Sequence, residues 1–148
     1  MEKIAVFVND AVHARRILRP LLEGGAPTHW VVVACPPTLA RHVSRWVSQG
    51  ARRQWRERWS EALFAELAPE LGATRGSRVE TQIARRPLTE LSTRLLARLP
   101  DVRLLDARMA RLGKPDEPIS VTQPVEPNRW AAPIAVTTGL SALLTLAD

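Results

Sequence analysis

Apolar runs and apolar stripes alternate along this chain. KIAVFV (3–8) is a short run rich in β-branched residues that stops at Asn9-Asp10. That is the pattern of a strand buried on both faces. From Ala11 to Leu22 the spacing turns helical, with Val12, Ile17, Leu18, Leu21 and Leu22, and Gly24-Gly25 ends it. Pro20 inside that pattern predicts a kink or an early stop. HWVVVAC (29–35) is a second buried strand, closed by Pro36-Pro37.

A long helical region follows, from about Thr38 to Leu71. Its apolar positions Leu39, Val43, Val47, Trp55, Trp59, Leu63 and Leu67 keep a spacing of four. A spacing of four drifts about 40° per step around an α-helix, so one straight helix cannot bury the whole row. A break is predicted near Ser48-Gln49-Gly50. Within the second half, Trp55 and Trp59 continue the row of Leu63 and Leu67, the spacing of a packed face. Arg53 and Arg58 fall off that row, and Arg52 and Arg56 flank it.

Next, SRVETQIA (77–84) alternates as a strand, RPLTELSTRLLARL (86–99) carries one leucine stripe, and DVRLLDA (101–107) is a further strand. Residues 113–133 hold Pro115, Pro118, Pro124, Pro127 and Pro133, which predicts an irregular connection. PIAVTT (133–138) reads as a fifth strand, and 139–148 as a C-terminal helical extension. The uncharged stretch 131–147 contains Pro133 and Gly139 and fits a strand and short helix better than a membrane span. Strands alternating with helices predict one small doubly wound α/β domain over 1–148 with a five-stranded parallel sheet. Ligands on such sheets sit beyond the C-terminal strand ends.

The chain has 148 residues and a net charge of +6, carried almost wholly by arginine. That balance admits nucleic acid, an acidic protein partner or an anionic small molecule as ligand. Its one cysteine, Cys35, excludes an internal disulfide framework and suits a reducing, cytoplasmic setting. The N-terminus lacks the features of a secretory signal. His13, His29 and His42 each stand alone, without metal-ligand spacing, so no metal site is expected. No Gly-x-Ser-x-Gly motif or other nucleophile constellation is present, and no catalytic residue is assigned.

The order of these pieces resembles the universal stress protein family. EKIAVFVNDAVHARRILRPLLE is similar to its opening strand, acidic turn and first helix. WVVVACPP resembles its second strand, and RVETQIARRPLTELSTRLLARLPDVRLLDARMAR the stretch from its third strand past its fourth. The resemblance implies a Rossmann-like, HUP-type fold, a homodimer, and a non-catalytic role in stress response or regulation. ATP-binding members carry Gly, two residues, Gly, nine residues, then Gly-Ser or Gly-Thr after the fourth strand. Those positions hold Asp106, Met109 and Ile119-Ser120 here, and only Ser120 agrees. The family's adenine-side aspartate falls on Asn9, with Asp10 next to it. The resemblance therefore implies a degenerate site for ATP or another adenine nucleotide.

The candidate ligand-binding residues along the strand ends are Asn9, Asp10, Cys35, Arg108, Arg111, Gly113, Lys114, Ser120 and Thr138. Arg108, Arg111, Gly113 and Lys114 offer an alternative, non-standard phosphate loop. Arg41, Arg45, Arg52, Arg53 and Arg56 keep open a basic binding module for nucleic acid or an acidic partner. A small hydrolase or transferase using Cys35 or Asp106 has no positive sign in the sequence.

Overall fold

The computed structural model describes residues 1–37, 46–110 and 117–120. Its elements are β1 (Glu2–Val8), α1 (Ala11–Glu23), β2 (Thr28–Ala34), α2 (Gln49–Leu71), β3 (Arg78–Ile83), α3 (Leu88–Arg98) and β4 (Arg103–Asp106). The four strands form one parallel sheet in the order β3-β2-β1-β4. The protein is thus an α/β chain with a parallel sheet. The fifth strand expected at 133–138, the C-terminal helix and the proline-rich segment beyond Ser120 lie outside the described residues, as do 111–116.

β1 is central, and its residues Ile4 to Val8 are all at most 1 % exposed. Alternation of Cβ direction sends Ile4, Val6 and Val8 to one face and Ala5 and Phe7 to the other. On the first face they pack with Trp30, Val32, Ala14 and Leu18 of α1, and Leu63, Leu67 and Leu71 of α2. On the second they meet Val31, Val33, Leu104 and the α3 leucines Leu88, Leu91 and Leu95. Helices therefore cover both faces. Burial of each such leucine contributes about 1.5–3 kcal/mol.

α1 keeps Pro20 inside it and continues to Glu23, although the proline lacks the N–H that would reach the Arg16 carbonyl. Gly25 (φ 67°) then turns the chain toward β2. α2 starts where the break was expected: Ser48 is an N-cap whose hydroxyl accepts from Ala51 N at 3.1 Å. Residues 38–45, the region's first half, lie outside the described residues.

α2 is about 34 Å long at 1.5 Å per residue, whereas a seven-residue strand spans about 23 Å. Its buried residues, Ser60, Leu63, Leu67 and Leu71, run from its midpoint to its C-terminal end. The N-terminal turns of the helix reach past the carboxyl edge of the sheet.

Candidate functional site

The strand register lines up the carboxyl ends. Val8 pairs with Ala34, Ala34 with Ile83, and Phe7 with Asp106. The ladders run one residue further: Cys35 N donates to Val8 O at 2.8 Å, Ala84 N to Ala34 O at 2.9 Å, and Ala107 N to Phe7 O at 2.9 Å. Asn9, Cys35, Ala84 and Arg108 thus follow at the same edge. Strand order reverses between β1 and β4, which is where ligands of open α/β sheets bind.

Here the protein's own groups occupy that place. Asn9 leaves β1 and clasps the chain beyond β4: its Nδ2 donates to Met109 O at 3.0 Å, and Met109 N donates to its Oδ1 at 2.6 Å. Asp10 is the N-cap of α1, its Oδ2 accepting from His13 N at 2.8 Å. The positive end of that helix, a ready anion site, already faces a carboxylate.

Beside it, Asp106 and Arg108 form a fork-to-fork pair. Arg108 Nε reaches Oδ1 at 2.9 Å and Nη2 reaches Oδ2 at 3.0 Å. The backbone N–H of Arg108 also donates to Oδ1 at 3.2 Å. The side chains are only 7 % and 15 % exposed for Arg108 and Asp106, so the pair sits near the buried limit. Arg108 Nη2 further donates to the carbonyl of Glu117. The carboxylate of Glu117 accepts from Leu88 N at 2.9 Å, which caps α3. Pro87 precedes α3 and supplies no side-chain cap, so this amide needs an outside acceptor. Ser92 ties the same segment down by donating its hydroxyl to Ile119 O.

Cys35 lies next to this network. Burial pushes its thiol up to about 12; the Arg108 guanidinium opposes the shift, while Asp106 and Glu117 add to it. A thiol so shifted is protonated at neutral pH and a poor nucleophile.

Of the residues expected from sequence, Asn9, Asp10, Cys35 and Arg108 come together at the β1–β4 edge. Ser120 is buried at 1 % exposure beside the core residue Ile119. Arg111, Gly113, Lys114 and Thr138 lie outside the described residues. Sequence reasoning missed Glu117, whose only local signal is the uncapped helix start after Pro87. Among the described residues, no group of three or more His, Cys, Asp or Glu side chains could hold a metal ion. No helix among them is long and apolar enough to cross a membrane.

A second feature stands apart at the same edge. Gln49, Arg52, Arg53, Arg56 and Glu57 of α2 and Arg85, two residues past β3, line an open cleft of about 290 Å³. Arg85 Nη2 holds Glu57 Oε1 at 3.2 Å. Sequence reasoning placed Trp55 in the packed row and Arg53 outside it. In the structure both Trp55 and Trp59 are half-buried. Trp59 packs against the core edge. The spacing-of-four row winds off the core as it runs toward the N-terminus.

The chain matches no protein-family model, no curated protein and no solved structure with which it was compared.

Proposed function

We propose that this chain is a universal-stress-protein-like domain of Rossmann-like, HUP type, acting as a non-catalytic stress-response or regulatory protein that has lost ATP binding. The strand order β3-β2-β1-β4 supports the fold part, since it follows the first four places of the common doubly wound order. One observation carries the loss of nucleotide binding: Asp106, at the position of the family's first phosphate-loop glycine, is held by Arg108 inside a buried network. A glycine there lets the backbone approach phosphate. A carboxylate repels it, and the cation that would offset that repulsion is already engaged.

Asn9 adds to this. Its amide nitrogen and oxygen both bond Met109, which fixes the amide's direction toward the chain past β4 and leaves one N–H and one lone pair over. The raised thiol of Cys35 argues against a nucleophilic role. The proposal also carries a cytoplasmic homodimer, which sedimentation of the purified chain tests directly. Titration calorimetry with ATP, with and without magnesium, tests the central part. No magnesium-dependent binding is expected; tight magnesium-dependent binding would overturn it.

A further inference from the structure

The arginines at the front of α2 lie in the helix sector that faces the sheet further along. At about 100° per residue, Leu71, Leu67, Leu63 and Ser60 fall within about 80° of one another. Gln49, Arg53 and Arg56 fall inside that sector, and Arg52 lies about 20° outside it. Where the sheet lies beneath, this face buries leucine. Where the helix overhangs the carboxyl edge, it presents guanidinium groups toward the chain leaving β3.

We propose that the cleft between these turns and Arg85 is a binding site for the phosphate of a small phosphorylated ligand, gripped by Arg53, Arg56 and Arg85 with Arg52 beside them. The lining holds four guanidinium groups and one carboxylate, a net +3. Among the described residues, neither Arg53 nor Arg56 has an ion-pair partner. Charges of one sign gathered in a cleft repel each other, and a dianion relieves that repulsion. Guanidinium forks match phosphate oxygens two at a time. The helix end reinforces the field: α2 has no acidic residue in its first turn, and its cap is the neutral hydroxyl of Ser48.

Size and surroundings choose a small ligand over a nucleic-acid strand. About 290 Å³ lies at the lower end of ligand cavities. A strand needs a basic track running beyond one cleft. Among the described residues, the cations on the β3–α3 side do not extend it, because Arg86 and Arg94 are paired with Glu90 and Arg98 with Glu80. This site is distinct from the Asn9–Arg108 edge and does not depend on the fate of ATP there.

Pyrophosphate titrated into the full-length chain, followed by the arginine Nε–Hε signals, tests the site. Saturable shifts are expected at Arg53, Arg56 and Arg85, with the amides of Asn9 and Asp106 unmoved. The double variant R53Q/R56Q, verified as folded by its melting temperature, should bind about tenfold more weakly or worse. R78Q, at the opposite end of β3, should bind as the parent does. The proposal is overturned if no saturable shift occurs up to about 10 mM, or if R53Q/R56Q binds undiminished. It is equally overturned if a single-stranded oligonucleotide binds this face and pyrophosphate fails to displace it.

Discussion

Substitution of Arg108 by methionine keeps most of the side chain's volume and removes its guanidinium. Three hydrogen bonds go with it: Nε to Asp106 Oδ1 at 2.9 Å, Nη2 to Oδ2 at 3.0 Å, and Nη2 to the Glu117 carbonyl. Removing one partner of a fully buried ion pair costs about 3–5 kcal/mol, whereas exposed pairs are worth about 0–1 kcal/mol. At 7 % and 15 % exposure, the Asp106–Arg108 pair lies close to the first limit. The surviving bond from Arg108 N and the access of water to Asp106 reduce the loss, so about 2–4 kcal/mol is expected. The double variant D106L/R108M leaves no orphaned carboxylate and should cost less than R108M alone. Urea unfolding followed by tryptophan fluorescence measures both. A loss below about 0.5 kcal/mol for R108M, the range of an ordinary surface change, would refute the view that this network seals the edge. So would a double variant at least as damaged as the single one.

Asn9→Ala removes two bonds that join β1 to the chain past β4, and should cost about 1–3 kcal/mol in the same assay; a loss near zero would show that the clasp is not formed in solution. Cys35 should react with a thiol reagent at pH 8 orders of magnitude more slowly than a free cysteine, and rapidly in denaturant; fast native labelling would contradict the raised thiol. Glu80 is held below the usual carboxylate range by the hydrogen bond from Arg98, with His29 assisting. Its stabilising share is therefore present above the unfolded pKa and lost as pH falls through the folded one. Glu80→Gln should flatten the stability curve on the acid side of about pH 4.5, and an unchanged curve would dismiss that contribution.

The elements were legible because their signals are local. β1 and β2 are unbroken apolar runs, as strands buried on both faces must be, and the α3 leucines share one stripe. The start of α2 was legible from the drift of a spacing of four, although Ser48 proved to be its cap. The order of strands was not legible, because nothing in a strand's own sequence says which neighbour it pairs with. The same holds for the contacts that close the edge. Asn9 meets Met109 across 100 residues, and Glu117 caps Leu88 across 29. The packed row of α2 was legible in part: Trp59 joins Leu63 and Leu67 at the core, Trp55 is half-buried, and Arg53 and Arg58 are exposed. What was not legible is that the sector buried at Leu63, Leu67 and Leu71 carries Arg53 and Arg56 further forward, exposed and lining the cleft with Arg85. A face that changes from leucine to arginine along one helix averages to no clear stripe, so pattern alone could not assign it.

The state of the β1–β4 edge is the point on which the functional account turns. Backbone amide spectra of the full-length chain, recorded during a titration with magnesium and ATP, report on it residue by residue. The amides of Asn9, Asp106, Arg108 and Met109 should stay in place at millimolar nucleotide, any movement being confined to the arginine cleft of α2. Saturable, magnesium-dependent shifts at those four amides would contradict the account, because they would mean that the network opens and the edge receives a nucleotide.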